Sequence, residues 1–303
     1  MSMGIAAYEP LYQTGQTLAE SEFRPLAVAQ NSEAWREFRI LIDFYRRGHH
    51  RLDNFSGILS PKFRLKTGVS GRDFVNFVSS NPDADVCIIN PYPGARYLSY
   101  NVWMHGEAFH PGIVARGQAL LNLAGIDWDL RDAPRNGERT LCYSNFWIGS
   151  AAFWESYVGG VLDPIARFLE QNPDDPVARD VMDPTTHYTS APFLPFIVER
   201  LFSTFLALHG RTKIAVHTGP YERVMELCDT EFERDIVREM RPVVDACDNA
   251  EGFSPEVKNL QALHTRLFQK YVAEYYARHP HPHTGRMLPS VAEQFTRQLA
   301  PGF

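Results

Sequence analysis

The apolar positions of the chain change period along its length. Asp85-Val-Cys-Ile-Ile-Asn90 is a continuous apolar run, which predicts a strand buried on both faces. Further strands are predicted at Ile5–Gln13, Asn54–Ser60, Thr140–Gly149 and Lys213–His217. Between them the spacing is helical. Trp35, Phe38, Ile42 and Tyr45 recur at three and four residues over Glu33–Arg47, with Ser32 as N-cap and Gly48 as the stop. Ser70 caps a helix through Ser79, whose inner face is Phe74, Phe77 and Val78. Helices follow at Gly112–Ala124, Ala151–Gln171 and Pro192–His209, the last with Ile197, Leu201, Phe205 and Leu208 as its apolar stripe. Beyond about residue 220 only the helical period remains. Phe232, Ile236, Met240 and Val243 mark one helix, which Pro242 is expected to kink or end. Leu260, Leu263, Leu267, Tyr271 and Tyr275 mark another. Strands separated by helices predict an α/β fold, a sheet with helices on both faces, over residues 1–220. Residues 221–303 then form a helical extension packed on it.

Composition narrows the partners. The 303 residues suffice for one large domain or two small ones, and 44% apolar with 22% charged residues is ordinary for a globular chain. A net charge of −6 argues against nucleic acid, yet leaves room for a phosphorylated small ligand, which needs only local cations. Four cysteines without a Cys-x-x-Cys pair fit free thiols in a reducing compartment. The amino-terminal residues lack a basic stretch followed by an apolar one, and the greasiest segments are interrupted by Glu155 and by Glu199–Arg200. No transmembrane segment and a cytoplasmic location are therefore expected. Glycine-rich dinucleotide and P-loop motifs, Gly-x-Ser-x-Gly and His-Glu-x-x-His are all missing, which removes most of the case for a Rossmann dehydrogenase, a P-loop NTPase or an α/β-hydrolase.

Five segments carry candidate chemistry. Ligands of open α/β sheets bind beyond the carboxyl ends of strands, so Asn90 and Tyr92 are expected in a cleft, whereas Asp83 and Asp85 lie at the opposite end. A second Asp-x-Asp, Asp127-Trp-Asp129, reads as a loop. Gly106 and Pro111 argue against a helix over Asn101–Gly112, which places His105, Glu107 and His110 on an irregular loop. There Glu107 could act as a general base and the histidines could bind phosphate or hydroxyl groups; the three could instead hold a metal, or merely satisfy their own backbone. Lys62, Arg64 and Lys66, on a Pro61–Gly68 loop, suit a diphosphate or simply water. Glu199–Arg200 sits in so apolar a segment that the two must be paired, solvated or functional. The prolines of His279-Pro-His-Pro-His283 keep its imidazoles off one helix face, so adventitious metal binding is expected there.

In series these segments resemble bacterial glycosyltransferase-like proteins of polysaccharide and surface-glycan gene clusters. The pieces are Leu11-Tyr-Gln, Gly57-Ile-Leu-Ser-Pro-Lys-Phe with Lys66-Thr-Gly, Asp85-Val-Cys-Ile-Ile-Asn-Pro-Tyr, and Asn101-Val-Trp-Met-His-Gly-Glu-Ala-Phe-His-Pro-Gly. Ser144-Asn-Phe-Trp-Ile-Gly, Phe153-Trp-Glu-Ser-Tyr and Phe196-Ile-Val-Glu-Arg-Leu continue the order. The resemblance covers residues 11–208 and implies a GT-A-like mixed sheet flanked by helices. It implies a nucleotide-sugar donor near Tyr12, Gln13 and the Ser60–Lys62 loop, and a glycan or lipid-linked acceptor near His105, His110, Asn145 and Arg200. Arg64 joins the donor side from the cationic loop, and Asn90 and Tyr92 join it as residues that follow a strand. Glu107 and Glu199 become the catalytic carboxylates. Mg2+ or Mn2+ could assist, but no Asp-x-Asp follows a strand, so no metal ligands are assigned. The oligomeric state stays open, a homodimer included. A transferase so built requires Lys62, Asn90 and Glu107 to face one hollow. The alternatives are a binding protein without turnover and a metal enzyme using His105, Glu107 and His110.

Overall fold

The computed structural model describes residues 4–28, 34–185, 191–250 and 252–287. The chain opens with β1 (Ile5–Leu11) and β2 (Arg24–Ala27), followed by α1 (Glu37–Arg46). Gly48, in the left-handed region at φ 72°, ends α1 as expected; Ser32, the predicted cap, lies outside the described residues. Next come β3 (Phe55–Ile58), α2 (Phe63–Thr67) and α3 (Gly71–Ser79), where the Ser70 hydroxyl accepts the Asp73 N–H at 3.1 Å. β4 (Val86–Ile88) leads to α4 (Ala95–Leu98), α5 (Val102–Phe109) and α6 (Ile113–Leu123). β5 (Trp147–Ser150) runs into one long helical stretch: α7 (Ala151–Trp154), π-helical residues Glu155–Leu162, and α8 (Asp163–Gln171). α9 (Pro176–Met182) and a two-residue ribbon of β6 (Pro184–Thr185) and β7 (Ala191–Pro192) precede α10 (Phe193–Leu208) and β8 (Ile214–Val216). α11 (Tyr221–Glu226), α12 (Glu231–Asp248) and α13 (Pro255–Tyr276) complete the described chain.

Six strands form one mixed sheet in the order β2-β1-β3-β5-β4-β8. β1 is parallel to β2 and β3, β4 is parallel to β8, and β5 runs antiparallel to both its neighbours. The alternation of side chains across a strand builds two layers from one sequence run. Val86 and Ile88 of β4 and Trp147 of β5 enter the larger core with α1, α6, α8 and α10. Cys87 and Ile148 enter the smaller one with Phe63, Phe74 and Val78. The C-terminal helices add a third cluster, in which Tyr97 and Leu98 of α4 pack on Ile236, Val237 and Met240. All four cysteines are unpaired. Among the described residues no helix is long and apolar enough to cross a membrane.

Several local expectations are corrected. Residues 63–67 are helical, because Phe63 and Thr67, four apart, are both buried. Residues 102–109 are helical too, with the Asn101 side chain accepting the N–H groups of Trp103 and Met104. Gly106 is not a breaker there: a Cβ at that position would overlap the Arg200 side chain. The strand expected over Thr140–Gly149 begins only at Trp147. Pro242 does not end α12, which runs on through it, carried by the buried residues Ile236, Val237, Met240 and Val244.

The stripe Leu260, Leu263 and Leu267 of α13 points outward, each 40–45% exposed. Gln261 and Thr265 are buried instead. They donate to the carbonyls of Arg96, Tyr97 and Leu98 at 2.7–3.1 Å, groups that α4 is too short to satisfy internally.

Candidate functional site

The carboxyl ends of β1, β3 and β4 meet at one edge of the sheet, and β5 starts there. The registers Tyr8↔Ile58 and Ile88↔Trp147 hold those ends level. β1 is followed in sequence by β2 on one side of it and then by β3 on the other, so strand order reverses between β1 and β3. That is where an open α/β sheet leaves a crevice. A basin of about 180 Å³ fills it, lined by Tyr12, Ser60, Glu37 and Asn145. A second basin, about 340 Å³, lies beside it, lined by Tyr92, His105, His110, Tyr143 and Arg200. Lys66, Ser144, Phe196 and Glu199 line both basins and form the neck between them.

The neck is built from three elements. In α2, Phe63 and Thr67 face the core and Arg64 faces solvent, which turns Lys66 toward the sheet edge. Its ammonium donates to Ser144 Oγ at 2.9 Å. Burial lowers its pKa, and the negative charge of Glu199 partly offsets this. From α10, Glu199 Oε1 accepts the Ser144 N–H at 2.8 Å. Ser144 and Asn145 sit in succession in the left-handed region, at φ 64° and 52°. Such a pair in residues with a Cβ is strained and persists because both flanks are held.

The second basin holds a cation and a neutral imidazole. Arg200, only 3% exposed, donates from Nε to the Val102 carbonyl at 3.0 Å and from Nη1 to the Phe196 carbonyl at 2.8 Å. Its nearest approach to Glu199 is 4.0 Å, so the adjacent pair is loosely joined and each member is held mainly by backbone. Burial and the Arg200 charge push the His105 pKa down to about 3, which keeps the ring neutral. His105 stacks on Phe109 at 4.4 Å, and its Nδ1 is buried without a hydrogen-bond partner among the described residues. His110 is buried, stacks on Phe196 at 4.0 Å and has Nδ1 3.2 Å from Thr185 Oγ1. Across the basin, burial and Asp229 push the Glu233 carboxyl up to about 7.

Eight of the sequence-predicted residues therefore line the two basins: Tyr12, Ser60, Tyr92, His105, His110, Asn145, Glu199 and Arg200. Five do not. Gln13 belongs to an exposed turn, where its carbonyl accepts the Gln16 N–H. Lys62 is exposed, with Nζ on the His283 carbonyl at 2.9 Å. Arg64 is exposed on the outer face of α2. Asn90 closes a turn with the Tyr92 backbone and lines a separate cavity with Thr67, Arg96 and His217. Glu107 is exposed, and its carboxylate accepts the N–H groups of Gly112 and Val114 at 2.7 and 3.1 Å, capping α6. On the helix that residues 102–109 form, position 107 lies opposite position 105. Glu107 thus cannot join His105 and His110 as metal ligands, and Lys62, Asn90 and Glu107 do not share one hollow.

Neither Asp-x-Asp reaches the cleft. Asp85 accepts the Lys213 N–H at 2.8 Å at the amino end of β4, and Asp129 accepts the Arg131 N–H at 2.9 Å. Metal-ligand groups do gather at the rim of the second basin. Asp229, His281 and His283 each place one ligand atom within 4.8 Å of the others. The sequence offers Lys66 as one of three cations on the Pro61–Gly68 loop and singles out none of Ser144, Asp229 and Glu233. Of these, Lys66 alone carries a legible signal, its place in the cationic run Lys62, Arg64 and Lys66 after a strand. No family model, curated protein or solved structure matches the chain.

Proposed function

We propose that this chain is a glycosyltransferase on a GT-A-like fold, moving a sugar from a nucleotide donor to a glycan or lipid-linked acceptor. The observation that carries the proposal is the pair of basins joined at Lys66, Ser144 and Glu199, one of them in the crevice between β1 and β3. The nucleoside occupies the crevice, with Tyr12 available to stack on its base. The acceptor occupies the larger basin, beside His105, His110 and Arg200. At the neck, the acceptor hydroxyl oxygen bonds to the anomeric carbon while the bond from that carbon to the phosphate oxygen breaks. Glu199 takes the hydroxyl proton, and Lys66 neutralises the charge on the departing nucleoside diphosphate. The arrangement expected from the sequence, with Lys62, Asn90 and Glu107 in one hollow, is not met, so the proposal rests on a different set: Lys66 in place of Lys62 and Arg64, and Glu199 in place of Glu107. Asp85 and Asp129 are held by backbone N–H groups away from the cleft, so no Asp-x-Asp metal ligand is assigned to this step.

The test is a panel of UDP, GDP, CMP and dTDP sugars. A donor that binds the native chain raises its melting temperature. Free nucleotide should then be released on turnover, and Glu199→Gln should lower kcat about 10²- to 10⁴-fold with donor affinity retained. If no nucleotide sugar shifts the melting temperature, the proposal fails. The missing strand-terminal carboxylate pair favours one alternative, a nucleotide-sugar-binding protein without turnover. Binding with no release of nucleotide would select it.

A further inference from the structure

We propose that Asp229, His281 and His283 bind one divalent transition-metal ion at the rim of the second basin, a site independent of the transferase proposal. Two imidazoles and one carboxylate suit Zn2+, Fe2+ or Mn2+ better than Mg2+ or Ca2+, which prefer oxygen ligands. The three ligand atoms already lie within 4.8 Å of one another. A small closing of the side chains would bring them to bonds of about 2.0–2.2 Å.

The groups around them are arranged as metal ligands usually are, with each side chain oriented by a further contact. Tyr276 donates its hydroxyl to Asp229 Oδ2 at 3.2 Å. The Tyr92 hydroxyl lies 3.3 Å from His283 Nδ1. The His283 N–H donates to His281 Nδ1 at 3.1 Å, and the His281 ring packs 4.8 Å from Tyr276. Lys62 anchors the segment through the His283 carbonyl. Charges act in both directions. Lys62, Lys66 and Arg234 oppose a cation here, whereas Glu233 adds an acidic group that accepts the Asp229 N–H at 2.9 Å.

The fold separates this site from casual binding by the run His279-Pro-His-Pro-His283. His279 is turned away: it stacks on Tyr275 at 4.3 Å and has Nδ1 2.9 Å from the Tyr275 carbonyl. Asp229, far away in sequence, completes the set. A flexible histidine tail would use its three imidazoles alike and would ignore Asp229.

Isothermal titration of the metal-stripped full chain with Zn2+ tests this. One ion per chain is expected, with affinity lowered about tenfold or more in His281→Ala, His283→Ala and Asp229→Asn, and unchanged in His279→Ala. Co2+ in place of Zn2+ should give visible absorption bands that His283→Ala abolishes, while circular dichroism verifies that each variant folds. Should Asp229→Asn not fold, the contrast between His279→Ala and the other two histidine variants decides. Absence of stoichiometric zinc, an equal loss in His279→Ala, or full affinity in a folded Asp229→Asn overturns the proposal.

Discussion

Replacing Lys66 by Met separates a cation that serves a ligand from one that serves the fold. Lys66 forms no ion pair within 4.0 Å among the described residues; its polar partner is the neutral Ser144 hydroxyl at 2.9 Å. Removing that bond costs about 1 kcal/mol, and removing a desolvated charge returns a comparable amount. The melting temperature should therefore move little. Binding should behave differently. A charge-assisted hydrogen bond to a phosphate oxygen contributes about 1.5–3 kcal/mol, which corresponds to a loss of about 10- to 150-fold in affinity. The loss must be confined to phosphorylated ligands. Calorimetry with a nucleoside diphosphate and with the matching nucleoside, on wild type and on Lys66→Met, reads the difference directly. If both ligands weaken alike, or neither does, Lys66 is not the phosphate cation.

Other substitutions probe the supports of the cleft. Gly106→Ala should lower unfolding stability by about 1–3 kcal/mol despite alanine's higher helix propensity, because its Cβ meets Arg200; a stabilised variant in urea would contradict that packing. Glu107→Gln should leave transfer unchanged and cost about 0.5–1 kcal/mol through its weakened hold on the start of α6, as paired turnover and urea measurements would reveal. His105, with a folded pKa near 3 against about 6.5 unfolded, binds its proton more readily when unfolded. Its contribution is thus fully present above about pH 6.5 and is lost, at roughly 1.4 kcal/mol per pH unit, as pH falls toward 3. Urea midpoints from pH 7 to 4 should fall more steeply in wild type than in His105→Phe, and equal slopes would refute the assignment.

Local pattern was enough to determine the α/β class, the doubly buried strand β4 and the helix capped by Ser70, because each rests on neighbours in sequence: a continuous apolar run, or a hydroxyl three residues from an N–H. It also reached the sheet edge in part, since residues that follow strands must lie there. Tyr92 follows from that rule; Asn90 follows from it too but lines a separate cavity, and Tyr12 and Ser60 come only from the family resemblance. Tertiary structure alone decided which face of a helix matters. Arg64 and Lys66 are equivalent as cations in a loop, but once Phe63 and Thr67 dock, one faces water and the other the neck. Gly106 looks like a breaker until Arg200, from a helix far along the chain, needs the space of its missing side chain. The leucines of α13 would be its buried stripe if apolarity ruled, yet the unsatisfied carbonyls of α4 draw Gln261 and Thr265 inward. In each case the deciding partner lies tens of residues or more away in the chain, and a hydrogen bond or steric contact with such a partner leaves no trace in the local period of the sequence.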